Sequence, residues 1–336
     1  MADMQRVIYF IQRPHGMVTP DAFEIREERV PRLTGDKDVL VETVYASVDP
    51  YMRGRLSAGK SYTAPFAVGQ PMAGAMVGRV ADGGRSSLTA GEWVFGSWPW
   101  AEYAVLPDTS LRRLDPSLPP TTALHVLGLT GLTAYVGLTK FGRPQAGERL
   151  VVSGAAGSVG SLAVQIGRLL GLAVYGIAGS NDKCQWLEQQ MGVHKAFNYR
   201  AADFADALAA GLQEGVDIYF DNVGGAVTDE VLRHLNPHAR IVICGQIALY
   251  NQDKPAQHRP LFSDLLISRA QATGFIVGEH QEEFPKALKR LQSWYRLGQL
   301  HAEESIAVGF DQWINAFLGL FAGANRGKAI VQIKDA

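Results

Sequence analysis

The sequence is poor in cysteine, and this scarcity limits its chemistry. It contains only Cys184 and Cys244, sixty positions apart. Two thiols cannot build a disulfide framework or a four-thiolate zinc site, so we expect a reducing compartment, the cytoplasm. The first residues, "MADMQRVIYFIQRPHG", carry charge throughout and have no long apolar core, a pattern that does not indicate a signal peptide.

An excess of charge of one sign is also absent. Lysine and arginine together number 32, and aspartate and glutamate number 33. This balance gives no electrostatic footprint for nucleic acid or for an anionic membrane, so neither is expected as a partner. The longest uncharged stretch, residues 116–139, contains several prolines, threonines and glycines. This composition predicts the buried start of a helix rather than a membrane span.

Clusters of metal ligands and hydrolytic residues are missing as well. Of the eight histidines, the only pair at i, i+4 spacing is His234 and His238, with Pro237 between them. Proline would break the helix that such a pair needs, so no metal site is predicted. The nucleophile pattern G-x-S-x-G is absent. Tyr250 and Lys254 match the Tyr–Lys spacing of short-chain dehydrogenases, but a proline follows at once and a helix is not expected there.

The chain has two regions with different sequence patterns. Up to about residue 120, short β-type runs such as "DVLVETVYASVD" alternate with glycine and proline, which is typical of a barrel-like β domain. From about residue 148, strands such as "ERLVVSG" and "DIYFDNV" alternate with helices such as "SNDKCQWLEQQMG". This alternation predicts βαβ units and therefore a doubly wound parallel sheet. The expected fold class is α/β, with the β-barrel as a separate domain.

A glycine-containing turn, "GAAGSVG" at residues 154–160, joins a strand to an amphipathic helix. Compared with the dinucleotide fingerprint G-x-G-x-x-G, Ala155 replaces the first glycine and Gly157 and Gly160 supply the other two. The second glycine would allow backbone N–H groups to approach a pyrophosphate, and the third would allow close helix packing. The alternative is a plain tight turn. The predicted cofactor contacts of this turn are Gly157, Ser158, Val159 and Gly160.

The end of the second strand indicates which dinucleotide is used. An acid there would bind the ribose 2′-hydroxyl of NAD, but "AGS" at residues 178–180 has none. Asp182 comes later, beside Lys183. A neutral strand end removes repulsion against a 2′-phosphate, and the lysine can supply a countercharge, which favours NADP(H). Alternatively, Lys183 is a solvated helix residue.

Several further motifs carry a resemblance that covers nearly the whole chain. They are "SVDPYMRGR" (47–55), "GLTGLTAYVGL" (128–138), "SGAAGSVGS" (153–161), "YFDNVGG" (219–225), "ICGQIALYN" (243–251) and "NRGKAIV" (325–331). With them the chain resembles the zinc-independent double-bond reductases of the medium-chain dehydrogenase/reductase superfamily. The resemblance implies a GroES-like domain over residues 1–125, a Rossmann domain over 126–300 and a C-terminal return over 301–336. It also implies a homodimer.

The same resemblance implies individual roles. Lys183 and Tyr199 would hold the 2′-phosphate, and Tyr250 would border the nicotinamide and the substrate as the catalytic residue. Further cofactor contacts are implied for Asn222, Cys244, Gly245, Gln246, Phe275, Ile276, Val277 and Asn325. Each has a plainer alternative: Asn222 and Asn325 can be turn residues, and Tyr199 can be a strand aromatic. Tyr51 and Arg53 would line the substrate cleft, or lie on the barrel surface.

The implied reaction is NADPH-dependent reduction of the carbon–carbon double bond of an α,β-unsaturated ketone or aldehyde, without zinc. Hydride would reach the β-carbon, and a hydrogen-bond donor such as Tyr250 or a cofactor hydroxyl would stabilise the charge on the carbonyl oxygen. An NADPH:quinone reductase is the enzymatic alternative, and oxidation of an allylic alcohol is a further activity known in the group. An NADPH-binding sensor or structural protein without turnover is the alternative of another class.

Overall fold

The computed structural model describes residues 3–59, 61–252 and 261–335. It divides into two compact units. The first runs to His125 and takes up Ser305–Ala324 and the residues from Ala329 onward, and the second comprises Val126–Glu304 and Asn325–Lys328. The sequence predicts that the C-terminal segment 301–336 returns to the first domain. In the structure, residues 301–304 and 325–328 of this segment group with the second unit instead.

The N-terminal part of the first unit is built almost entirely from strands. In chain order these are β1 (Met4–Phe10), β2 (Phe23–Arg29), β3 (Asp38–Ser47), then helix α1 (Tyr51–Arg55), β4 (Gln70–Pro71), β5 (Ala73–Asp82), β6 (Trp93–Pro99), β7 (Tyr103–Pro107) and β8 (Arg112–Arg113). One antiparallel sheet has the order β2-β1-β4. In a second sheet β3 pairs with β5 and β7, β5 pairs with β6, and β6 pairs with β8. The predicted β domain is thus confirmed.

The second unit alternates strands and helices. Its elements are α2 (Leu129–Val136), β9 (Arg149–Ser153), α3 (Ser158–Leu169), β10 (Ala173–Ala178), α4 (Asn181–Gln189), β11 (Lys195–Asn198), α5 (Phe204–Gly211), β12 (Val216–Asp221), α6 (Gly225–Val231), β13 (Leu235–Ile243), α7 (Leu261–Ser268), β14 (Gln271–Gly274) and α8 (Phe284–Arg296). The sheet order is β11-β10-β9-β12-β13-β14, with every pair parallel. This confirms the predicted doubly wound Rossmann sheet.

The chain order reverses between β9 and β12, which are neighbours in this sheet. In open parallel sheets ligands bind outside the carboxyl ends of the strands at such a switch point. The residues that follow β9, β10, β12 and β13 are therefore the ones to inspect. Strand β14 ends at Gly274, the last residue that pairs with β13, and Phe275 directly after it is buried.

The C-terminal segment contributes β15 (Glu304–Val308), α9 (Trp313–Ala322) and β16 (Lys328–Gln332). Strand β16 pairs antiparallel with β3 of the first unit, with Ile330 opposite Ser47. Helix α9 brings Trp313 onto Trp100 in a stacked contact with 5.1 Å between the ring centroids. Both indoles are completely buried, so the last segment completes the aromatic core of the first unit.

Candidate functional site

The glycine turn after β9 is closely packed. Gly154 has a φ of +58°, and Gly157, in an extended conformation, is the N-cap residue directly before α3. A Cβ atom on Gly160 would lie 2.2 Å from the carbonyl oxygen of Gly154 and 2.9 Å from Cα of Ala155. These are backbone atoms that cannot move aside, so only glycine allows the first turn of α3 to lie this close to the strand end. The first turn of the helix, with the N–H groups of Ser158 and Val159, thereby lies at the carboxyl edge of the sheet.

A distant segment lies beside this turn. Gly327 forms a parallel bridge with Gly157, and its N–H donates to the carbonyl of Ala156 at 2.8 Å. A Cβ atom on Gly327 would lie 1.9 Å from the carbonyl oxygen of Glu303, so this position also requires glycine. The bridge brings Asn325 to the edge, where its Nδ2 donates to the carbonyl of Gly327 at 2.8 Å. The Asn325 side chain thus hydrogen-bonds within its own segment, and both its cofactor contact and its alternative role as a turn residue stay predictions.

The end of β10 brings together cationic and aromatic side chains. Ser180 caps α4 by accepting the N–H of Lys183 at 3.3 Å. Tyr199 follows β11 and packs on Gly179, where an added Cβ atom would lie 3.1 Å from its hydroxyl oxygen. The guanidinium carbon of Arg200 lies 5.6 Å from the centroid of the Tyr199 ring.

The electrostatics at this strand end favour an anion. Burial lowers the pKa of Lys183, and the neighbouring charge of Arg200 lowers it further. Asp182 directly precedes Lys183 and is exposed. A phosphate placed between the two cations would offset both their repulsion and their desolvation. Sequence reasoning missed Arg200; the available signal was a basic residue directly after the predicted strand aromatic.

Asn222 follows β12 and bridges the switch point. Its backbone N–H donates to Oγ of Ser153 at 2.9 Å, and its Nδ2 donates to the carbonyl of Ser153 at 2.8 Å. Ser153 is the completely buried last residue of β9. A Cβ atom on Gly154 would lie 3.5 Å from that of Asn222, so Asn222 lies directly beside the glycine turn.

The loop after β13 gathers four of the predicted residues. The N–H groups of Cys244 and Gly245 donate to the carbonyl of Asp221 at 2.8 and 3.1 Å. The N–H of Gln246 donates to the phenolic oxygen of Tyr250 at 3.3 Å. Burial is the main cause that raises the pKa of Tyr250, so the phenol stays protonated at neutral pH. Burial also raises the pKa of the Cys244 thiol to about 12, so thiolate chemistry is not favoured there.

The side chains of the predicted cofactor-binding residues after β14 lie largely in the core. The Phe275 ring packs against Phe141 with 5.0 Å between the centroids, and it fills the space above Gly137. Val277 is buried and Ile276 is half-buried. Any contact of these residues with a cofactor would therefore come mainly from their backbone, as the resemblance implies.

Tyr51 and Arg53 belong to helix α1 of the first unit. Arg53 is only 3% exposed, and its guanidinium donates to Oγ of Ser57 at 2.9 Å and to the carbonyl of Gly16 at 2.7 Å. It is therefore not a barrel-surface residue. Tyr51 is half-buried, and burial is the largest cause that raises the pKa of its phenol. The substrate role of both residues stays a prediction.

Metal-binding clusters and membrane-spanning helices are absent from the described residues. No group of three or more His, Cys, Asp or Glu side chains in residues 3–59, 61–252 and 261–335 is arranged to hold a metal ion. Within the same ranges, no helix has the length and apolar character to cross a membrane. Lys254, the second member of the Tyr–Lys spacing, lies outside the described residues.

Comparison with known proteins gives matches along the chain. Residues 6–114 match the family described as the N-terminal domain of oxidoreductase, and residues 158–293 match the family described as zinc-binding dehydrogenase. The Bacillus subtilis protein YfmJ is 42% identical, over 100% of this chain and 99% of its own length. The NADPH-dependent curcumin reductase of Escherichia coli is 37% identical, over 96% of this chain and 94% of its own length.

This chain belongs to the zinc-independent double-bond reductases of the medium-chain dehydrogenase/reductase superfamily. As a member of that group it is an NADP-dependent oxidoreductase. The crystal structure of CurA from Vibrio vulnificus in complex with NADPH is 37% identical, with a TM-score of 0.94 over 98% of this chain and 100% of that one. The resemblance inferred from the sequence motifs is thereby confirmed.

Proposed function

We propose that this reductase acts on α,β-unsaturated ketones and aldehydes, reducing the carbon–carbon double bond with NADPH. Relatives named for this kind of chemistry support the proposal. Besides the curcumin reductase, a 2-alkenal reductase of Nicotiana tabacum is 36% identical over 89% of this chain. Prostaglandin reductase 1 of Bos taurus is 35% identical over 94% of this chain. The observation in the structure that carries the proposal is the half-buried phenol of Tyr250, whose oxygen lies 3.3 Å from the N–H of Gln246 in the loop after β13.

The residues of the second unit fit the cofactor. Gly160 allows α3 to begin against the backbone of the strand end, so that the first turn of the helix can face a pyrophosphate. Lys183, Arg200 and Tyr199 form a cationic and aromatic group at the strand end where an NAD-specific acid is absent. We therefore assign the 2′-phosphate to this group and the nicotinamide half to the segments after β12 and β13.

NADPH, when bound, supplies the hydride that is added to the β-carbon of the substrate. Negative charge then develops on the carbonyl oxygen of the substrate, and a proton added to the α-carbon completes the reduction. Because the Tyr250 oxygen already accepts the N–H of Gln246, the proton of its own hydroxyl is available for donation. A donor fixed before the reaction and aimed at developing charge is the main contribution a protein makes to such a step. Tyr250 is thus proposed as the oxyanion donor.

The test is NADPH oxidation measured across enones of graded size, with identification of the product. A saturated ketone or aldehyde is the expected product. A quinol from a quinone, with no reaction of any enone, would instead favour the quinone reductase. That alternative has weaker support, since quinone oxidoreductases among the solved structures are 20% and 21% identical, which shows the fold alone. NADPH-dependent thermal stabilisation without any oxidation would identify a binding protein.

We also propose that the enzyme is a cytoplasmic homodimer. Helix α7 exposes three apolar side chains, Phe262 at 84%, Leu266 at 78% and Ile267 at 73%. The buried side of the same helix carries Asp264. An apolar outer face on a short helix is unusual unless another surface covers it. A second copy of this chain is the occupant that we propose.

A further inference from the structure

Asp221, the last residue of β12, is a buried carboxylate held by hydrogen bonds alone. It is 1% exposed, and among the described residues it has no ion-pair partner. Its Oδ1 accepts from the hydroxyls of Ser153 at 2.7 Å and Tyr219 at 2.9 Å, and its Oδ2 accepts from Thr228 at 2.7 Å. A buried charge with these partners is kept only where its hydrogen bonds are well formed.

The same carboxylate shapes the turn that follows it. Oδ1 also accepts the backbone N–H groups of Val223 and Gly224, each at 3.0 Å. Gly224 and Gly225 have φ values of +71° and +64°, which side chains rarely adopt. The two amide contacts thus fix a turn over residues 222–224 that begins with Asn222 and that glycine makes possible.

The turn over residues 222–224 also supports the segment that carries Tyr250. The carbonyl of Asn222 accepts the N–H of Ile247 at 3.4 Å, and the carbonyl of Val223 accepts the N–H of Ala248 at 3.0 Å. These residues open the 3-10 helix Ile247–Leu249, directly before Tyr250. One buried carboxylate therefore connects, through two successive layers of hydrogen bonds, with the segments to which we assign the nicotinamide.

We propose that Asp221 is a positioning residue that holds the turn over residues 222–224, and through it Tyr250, in the geometry needed for reduction. The inference rests on the proposed function, because it assumes that the nicotinamide lies against these segments. Asp221 touches neither reactant. Its contribution is to prevent displacements of the phenol and of Asn222, and misplacement of a reacting group by about 1 Å costs roughly hundredfold in rate.

Two substitutions of Asp221 and a matched control test the proposal. Asp221→Ala removes the acceptor, and we expect kcat per NADPH-binding site to fall about hundredfold. The KM for NADPH should change little, because Lys183 and Tyr199 are held by other strands. Asp221→Asn keeps one oxygen that can accept the N–H groups of the turn. Because hydrogen bonds to a neutral acceptor are weaker than those to a charged one, we expect kcat of this variant to lie within about tenfold of wild type.

Asp217→Ala is the matched control. Asp217 lies on the same strand and also accepts a backbone N–H, from Arg149 at 2.8 Å, but it lies at the opposite end of the sheet. Its replacement should lower the melting temperature and leave kcat unchanged. Equal losses of kcat in Asp217→Ala and Asp221→Ala, or a raised KM for NADPH with normal kcat in Asp221→Ala, would overturn the positioning role.

A second readout does not depend on turnover. Next to burial, the charge of Asp221 is the remaining cause that raises the pKa of the Cys244 thiol. Both Asp221 variants remove this charge, so both should speed the alkylation of Cys244 at mildly alkaline pH, measured by peptide mass spectrometry with Cys184 as an internal control. Only Asp221→Ala also releases the turn, so it should speed the alkylation of Cys244 further than Asp221→Asn does. Equal rates of Cys244 alkylation in the two variants contradict the positioning role. A wild type that reduces no enone refutes the proposed function instead, and the thiol rates then decide whether Asp221 holds this loop.

Discussion

Replacing Tyr250 with phenylalanine tests the proposed chemistry most directly. The substitution keeps the ring and removes one hydrogen-bond donor and one acceptor. Removal of a single oxyanion donor in other enzymes costs about 2.7–4 kcal/mol in activation free energy, or 10²–10³ in kcat. Because Tyr250 is half-buried, water can replace part of the lost interaction. We expect kcat to fall about ten- to thousand-fold, toward the lower end of that range.

The stability cost of this substitution should be small by comparison. The phenol accepts one long hydrogen bond, 3.3 Å from the N–H of Gln246. Loss of such a bond destabilises a protein by about 1 kcal/mol, which denaturant titration can measure. Activity is measured at saturating NADPH with a small enone. Tyr295→Phe is a suitable control, since burial also raises the pKa of this tyrosine and it lies on α8, away from the site residues.

The pH profile provides an independent check on the same residue. A phenol donates only while it is protonated, and burial raises the pKa of Tyr250 above its usual value of about 10. The wild-type kcat should therefore stay level through neutral and mildly alkaline pH and decline only above the usual tyrosine range. Tyr250→Phe should lack that alkaline decline. An unchanged kcat in Tyr250→Phe, or an identical decline in both enzymes, would remove Tyr250 from the mechanism.

Three further predictions concern the cofactor, the glycine turn and the apolar helix face. Lys183→Ala and Arg200→Ala should each raise the KM for NADPH and leave that for NADH nearly unchanged; equal effects on both cofactors would refute the 2′-phosphate assignment. Gly160→Ala should lower the free energy of unfolding by about 1–3 kcal/mol and weaken NADPH binding, because the new methyl group would overlap the Gly154 carbonyl. Leu266→Glu should convert a dimer to a monomer in analytical ultracentrifugation, and a wild type that is already monomeric would refute the dimer.

Much of the site could be predicted because its signals are local. The "GAAGSVG" turn follows a buried strand and precedes a helix with a 3.6-residue apolar period, and this order alone predicts a phosphate-binding turn. Ser180 is recognisable as an N-cap from its position before a helical segment, and the missing acid beside it is read directly from the sequence. Such features depend on residues within a few positions of one another.

The sequence by itself determined the alternation of strands and helices, the glycine turn and the preference for NADP(H), since each depends on neighbouring residues. Only the tertiary structure decided that Gly327 lies against Gly157, that Arg53 is buried, and that Asp221 collects donors from residues as distant as Ser153. The physical reason is that a hydrogen-bond partner or a packing neighbour across a sheet is chosen by the register of strands far apart in the chain. A local sequence pattern does not specify that register.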